Sequence, residues 1–207
     1  MFGGTFNPPH VGHLRMAEET AQRHGLEKIV FVPSHIPPHK SLERIASADD
    51  RLEMTRIACR DNDLFEVSAL EVEAGGPSYT VNTLECLAES MSQELFFIIG
   101  TDSLREIGTW KEYHRLFHVA HFLVITRPGV GFDVAWESTP QDLREMFGQD
   151  GGELLHLGGK RLVRSAVHGL NISATQIREL VKAQQSIRYL VTEPVRAYIL
   201  ERGLYIH

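Results

Sequence analysis

The first thirteen residues hold most of the chemistry this sequence advertises. Gly3-Gly4-Thr5-Phe6-Asn7-Pro8-Pro9-His10-Val11-Gly12-His13 follows a very short apolar start and leads into a helical pattern. Adjacent glycines let a ligand approach the backbone closely, and the two prolines stiffen the turn. His10 and His13 are three apart, so in a helical first turn both imidazoles face one side. A helix N-terminus adds N–H groups and the positive end of its dipole. Two imidazole donors placed there make an anion site suited to phosphate. A bare His-x-x-His is more often a turn with two surface histidines, and the glycine-rich prefix is what argues otherwise. Zinc would need a third protein ligand, and none is indicated nearby.

A second cradle lies far downstream, in Ile172-Ser173-Ala174-Thr175-Gln176-Ile177-Arg178-Glu179-Leu180. Ser173 with Gln176 three residues on matches a capping box, which starts a helix. Thr175 supplies a hydroxyl in the first turn, and Arg178 carries a forked donor one turn further. Taken alone, this is a capped surface helix with a solvated arginine.

The two cradles need a scaffold that unites them. Ile29–Pro33, Leu95–Gly100 and Phe122–Thr126 are continuous apolar runs, the pattern of strands buried on both faces. Helical spacing fills the intervals: Leu14–His24 stopped by Gly25, Asp49–Arg60, and Val81–Met91 with Thr80 as N-cap. The alternation predicts an α/β fold, a doubly wound, Rossmann-like parallel sheet with a small helical C-terminal part. A single domain is expected over 1–207, with a core to about 170 and the helical part over about 171–207. Residues 128–159, rich in glycine, are expected to form a loop-rich connection with one short helix near Gln141–Phe147. Thr192-Glu193-Pro194 opens the last helix and Gly203 ends it.

Composition narrows the function. The chain has 207 residues, 43% hydrophobic and 23% charged, with 21 Lys and Arg against 27 Asp and Glu. That is ordinary globular composition. A net charge of −6 disfavours a general nucleic-acid binder, which needs a broad basic face. Cys59 and Cys86 stand far apart without a partner motif, which excludes a disulfide scaffold. No run reaches membrane-spanning length, and no signal-peptide pattern is present. A cytoplasmic protein with no membrane partner is expected.

The two stretches together resemble the paired signatures of the nucleotidyltransferases that carry a His-x-Gly-His motif. Within that superfamily the chain is similar, over essentially its whole length, to the bacterial nicotinate-nucleotide adenylyltransferases. Pro37-Pro38-His39-Lys40, Pro77-Ser78-Tyr79-Thr80, Gly100-Thr101-Asp102-Ser103, Trp110, Arg127-Pro128-Gly129 and the ending Glu193-Pro194-Val195 to Leu204-Tyr205 follow in the family's order. Two departures stand out. Only Met1 and Phe2 precede the glycines, where relatives carry several residues of a first strand, so either that strand is short or the natural start lies upstream, and Ala174 stands where a hydroxyl residue is common in relatives.

The resemblance implies that ATP and nicotinate mononucleotide give nicotinate adenine dinucleotide (deamido-NAD) and pyrophosphate, with Mg²⁺. It places His10, His13 and Arg178 as catalytic. It puts Gly3, Gly4, Thr5, Phe6, Lys40, Gly100, Asp102, Ile172, Ser173 and Thr175 at ATP. It puts Tyr79, Thr80 and Trp110 around the nicotinate ring, with Lys40 and Asp102 also at the mononucleotide and Asp102 at Mg²⁺. Small-molecule substrates are the expected partners, and a homo-oligomer is compatible with the reading. No general base is evident, and none is needed, because the attacking phosphate monoester, with a second pKa of about 6, is already largely ionised. Two rivals are the same chemistry on another acceptor, such as the amide mononucleotide or phosphopantetheine, and a non-catalytic adenylate sensor.

Overall fold

The computed structural model describes residues 1–37, 45–126 and 131–206. In chain order the elements are β1 (Phe2–Gly4), α1 (Val11–His24), β2 (Ile29–Pro33), α2 (Ala48–Cys59), β3 (Phe65–Val67), α3 (Leu70–Ala74), α4 (Thr80–Ser90), β4 (Phe96–Gly100), α5 (Thr101–Arg105), α6 (Tyr113–Val119), β5 (His121–Thr126), α7 (Phe132–Glu137), α8 (Gln141–Arg144), β6 (Phe147–Asp150), β7 (Glu153–His156), β8 (Arg161–Ala166), α9 (Ala174–Lys182) and α10 (Glu193–Glu201). This is the expected α/β alternation with parallel strand pairs. The chain divides into two compact units, one made of Met1–Gly3 with Tyr79–Val167, the other of Gly4–Ser78 with His168–His207.

In the second of these units, β2 runs parallel to β3 with Ile29 opposite Phe65 and Phe31 opposite Val67. Ile29, Phe31 and Val32 are fully buried, which is why the run carries no polar alternation. The Ser34 N–H donates to the Gly4 carbonyl at 2.9 Å, tying the end of β1 to the chain leaving β2. Helix α1 stops where expected, at Gly25 in left-handed conformation. The terminal helices α9 and α10 bury Ile177, Val181, Val195 and Ile199 against Met54 of α2, with Ile187 and Val191 between them.

Two buried charges on α2 organise its surroundings. Arg51 donates to four main-chain carbonyls: Thr5 at 2.9 Å, Ser34 at 2.6 Å, His35 at 2.7 Å and Ala46 at 3.0 Å. Asp50 accepts from the Ser47 hydroxyl at 2.6 Å, the Tyr198 hydroxyl at 2.9 Å and the Arg202 guanidinium at 3.2 Å, so it pins α10 to α2. Burial alone would raise the Asp50 carboxyl, but the hydrogen bonds from Ser47 and Tyr198 and the Arg202 charge outweigh it and hold the group below its ordinary value. A depressed carboxyl stabilises the fold above its unfolded pKa of about 3.9 and loses that contribution as pH falls through the folded value. Asp50→Ala is therefore expected to destabilise by about 1–3 kcal/mol at pH 7 and by much less near pH 2–3. Urea melts at the two pH values check it. An equal loss at both would show that Asp50 acts by packing rather than by charge.

In the other unit, β4, β5 and β8 are parallel, with Phe96 opposite His121 and Phe122 opposite Leu162. The Met1 carbonyl accepts from the Ile98 N–H at 2.9 Å. All six residues of β5 are buried. The expectation of a loop-rich 128–159 needs correction. Past residues 127–130, which lie outside the described residues, the segment folds into α7, α8 and an antiparallel hairpin of β6 and β7 on the edge of β8. Gly151 and Gly152 both have positive φ, as two-residue hairpin loops require. Phe147 faces His156 across the hairpin, and both rings pack on Phe117. These two glycines thus serve a tight turn between β6 and β7. A smaller correction concerns α4: Tyr79 is its N-cap and Thr80 its first helical residue.

Candidate active site

Within the unit of Gly4–Ser78 and His168–His207, the two sequence signatures meet. One Arg178 nitrogen donates to the Asn7 carbonyl at 2.8 Å, and the other donates to the Thr175 hydroxyl at 3.2 Å. The late arginine is thereby fixed against the early loop across 171 residues of chain. The Asn7 side-chain oxygen in turn accepts from the Tyr205 hydroxyl at 2.7 Å and the Ala46 N–H at 3.1 Å. Burial pushes the Tyr205 hydroxyl well above its ordinary pKa, which keeps it a donor. Arg178 and Tyr205 line a cleft of about 150 Å³ with Ile45, Ala46, Lys182 and Leu204.

The histidine pair is arranged as the spacing predicts. His10 is the N-cap of α1, and the His10 and His13 rings stack with centroids 3.6 Å apart. The His10 backbone N–H donates to His13 Nδ1 at 3.2 Å. A backbone N–H can only donate, so Nδ1 accepts and the His13 proton sits on Nε2, as a donor. Gly12 is dictated by packing: a Cβ there would stand 3.0 Å from the His10 ring nitrogen and 3.6 Å from the Leu170 carbonyl. The expectation of open helix N–H groups at α1 is corrected in part. Val11 N–H is taken by the Leu190 carbonyl at 3.0 Å and His13 N–H by the His10 carbonyl at 2.9 Å. These two N–H groups of the helix start are thus used within the chain.

Phe6 is also different from a residue lying along a ligand. The residue is 3% exposed, its ring packs on His13 and Phe31, and its backbone is left-handed at φ 46°. Gly3 belongs to the other unit. Ser173 caps α9 by accepting from the Gln176 N–H at 3.1 Å, and its own O–H remains a donor. Ser173 and Thr175 are exposed and Ile172 is half-buried.

In the unit of Met1–Gly3 and Tyr79–Val167, Gly100 ends β4 and Asp102 stands exposed at the start of α5. Asp102 lines a cleft of about 290 Å³ with Arg105, Glu106 and Ser138. Trp110 follows a 3₁₀ turn at Ile107–Thr109 and is half-buried, its ring 6.2 Å from Phe97. The Lys111 ammonium sits 4.6 Å over the Tyr79 ring, adding positive charge beside the start of α4. Lys40 lies outside the described residues. Among the described residues, no group of three or more His, Cys, Asp or Glu side chains could hold a metal ion by itself. Sequence reasoning missed Asn7, Arg51, Tyr205 and Lys111 as contributors. Tyr205 fell within a quoted landmark, but nothing local marks its bond to Asn7.

Among the described residues, a parallel α/β scaffold carries the stacked His10–His13 pair and the Arg178 guanidinium bonded to Asn7 and Thr175, a set of side chains chemically suited to phosphate groups. The sequence model of the cytidylyltransferase-like family matches residues 1–180. A probable nicotinate-nucleotide adenylyltransferase of Desulfatibacillum aliphaticivorans is 44% identical, covering 100% of this chain and 98% of its own. A similarly named protein of Geotalea daltonii is 41% identical, covering 99% and 96%. Among solved structures, the Plasmodium falciparum nicotinic acid mononucleotide adenylyltransferase complexed with NaAD aligns with a TM-score of 0.74 at 17% identity, over 99% of this chain and 95% of that one. The chain belongs to the cytidylyltransferase-like family and, within it, to the nicotinate-nucleotide adenylyltransferases.

Proposed function

We propose that this chain transfers the adenylyl group of ATP to nicotinate mononucleotide, forming nicotinate adenine dinucleotide and pyrophosphate as a step of NAD biosynthesis. The names of its relatives and the dinucleotide complex of the Plasmodium protein support the reading. The observation that carries it is the Arg178 guanidinium, whose bonds to the Asn7 carbonyl and the Thr175 hydroxyl tie the second signature to the first.

The mononucleotide's phosphate oxygen attacks the α-phosphorus of ATP. A new P–O bond forms, the bond to the β-phosphate's bridging oxygen breaks, and pyrophosphate leaves with its electron pair. No proton need be removed from the nucleophile. Catalysis is then alignment of two anions plus stabilisation of charge on the leaving group. His13 Nε2–H, His10 and Arg178 supply donors for the β- and γ-phosphates. Ser173 and Thr175 hold the same polyphosphate through their hydroxyls, with Ile172 beside them. Gly3, Gly4, Thr5 and Phe6 offer main chain to the nucleotide, Gly100 and Asp102 the ribose and reacting phosphates, and Lys40 the joining point. A hard, exposed carboxylate such as Asp102 suits Mg²⁺, which takes one or two carboxylates and completes its shell with substrate phosphates and water. The ion would supply charge neutralisation at the phosphates. Tyr79, Thr80 and Trp110 frame the pyridine ring, Lys111 adds charge favouring an acid over an amide, and residues 1–207 act as one domain. Among the described residues no helix is long and apolar enough to cross a membrane. We read the chain as a cytoplasmic enzyme acting on small molecules. We read the acidic chain as having no nucleic-acid partner, and a homo-oligomer as compatible with it.

ATP labelled at the α-phosphorus tests the reaction. Label moving into a dinucleotide, one per pyrophosphate released, is the expected result. Binding of ATP with no transfer would favour a sensor. Trp110→Ala is expected to raise KM for the mononucleotide about tenfold or more, the scale of a lost stacking contact, with KM for ATP little changed. Equal effects on both would argue against ring stacking.

A further inference from the structure

Arg51 is the bulkiest of the fully buried side chains among the described residues, at 1% exposure. A guanidinium has five N–H donors in a fixed fork and remains charged at neutral pH. Here four bonds from all three nitrogens end on main-chain carbonyls, of Thr5, Ser34, His35 and Ala46, and none of these acceptors is charged. A buried charge is expensive, so its placement on neutral acceptors asks for a reason beyond packing. The acceptors are informative. Thr5 lies in the first signature, while Ser34 and His35 follow β2.

The Thr5–Phe6 peptide is trans, the one cis bond among the described residues being Asn7–Pro8. In a trans peptide the N–H points opposite to the C=O. Holding the Thr5 carbonyl against Arg51 therefore aims the Phe6 N–H, the positive end of that peptide dipole, away from it. The His35 carbonyl is held in the same way, and Ile36 beside it pairs with Pro77 in a parallel bridge, so the Arg51 bond also fixes the peptide that enters this bridge.

We propose that Arg51 is a positioning residue for polyphosphate binding: it locks the Thr5–Phe6 and His35–Ile36 peptides in one orientation and places a positive charge behind the first signature. This rests on the adenylyl-transfer reading, which puts ATP along that loop. Lysine keeps the charge but offers a point donor that cannot span four carbonyls, and alanine removes both.

The experiment uses the full chain as wild type, Arg51→Lys, and Arg51→Ala with and without millimolar methylguanidinium. Calorimetry gives ATP affinity, steady-state assays give both KM values, and hydrogen exchange reads the Phe6 and Ile36 amides. Folded Arg51→Lys is expected to lose about tenfold or more in kcat/KM for ATP, as a misplaced loop would cause. Its KM for the mononucleotide should stay within about twofold, both amides should exchange faster, and methylguanidinium should partly restore Arg51→Ala. Folded Arg51→Lys with wild-type ATP affinity and exchange would overturn the proposal. Failure of both variants to fold would also overturn it, since the role would then be structural alone. If the wild type proves inert with the mononucleotide, the reaction assignment fails separately, and ATP affinity and amide exchange still decide the role of Arg51.

Discussion

Arg178→Ala should lower kcat by about 10²–10³-fold, the range typical of removing one preorganised donor from a site of developing negative charge. Two of the guanidinium nitrogens are fixed by the Asn7 carbonyl and the Thr175 hydroxyl, so the fork is oriented before substrate arrives and little ordering remains to be done. The side chain is only half-buried, and the core of α9 is carried by Ile177 and Val181 instead. Stability should change by less than about 1 kcal/mol, which a thermal melt checks. Arg178→Lys should recover only part of the loss, because an ammonium cannot hold both anchors and still face a phosphate. An unchanged kcat/KM in a folded Arg178→Ala variant would remove this residue from the mechanism.

The second large effect is expected at His13, and two replacements separate its two nitrogens. Neither mimics the whole ring. His13→Gln places an amide near the Nε2 position and can still donate to a phosphate. His13→Asn reaches only the Nδ1 position, where it can accept from the His10 N–H and no more. Because Nδ1 is already an acceptor, the proposed mechanism assigns the donor to phosphate to Nε2–H. His13→Asn should therefore fold and lose about 10²–10³-fold in kcat/KM, while His13→Gln retains measurably more activity. The reverse order would place the important contact at Nδ1 and contradict the assigned tautomer.

The local parts of this picture were legible in the sequence. Gly25 stopping α1, Ser173 capping α9 and the apolar runs of β2, β4 and β5 are decided by a few neighbouring residues. That the His10 and His13 rings share one side was legible from their three-residue spacing at a helix start, although only the glycine-rich prefix argued for more than two surface histidines. The meeting of Asn7 with Arg178 was not, because nothing local encodes a bond across the whole chain, and only the family resemblance joined the two signatures. Arg51 and Asp50 lay in a helix that displays charges all round, where buried and solvated charges look alike until their partners are known. The hairpin at Phe147–His156 was hidden for a different reason. Its glycines were read as looseness, although Asp150-Gly151-Gly152 between short strands is itself a turn signal.

The most direct test of the central claim is pyrophosphate release from ATP and Mg²⁺ with nicotinate mononucleotide and its amide counterpart in parallel. The account predicts release at least about tenfold faster with the acid, a discrimination of about 1.4 kcal/mol. Bound ATP with no release from the acid would contradict it.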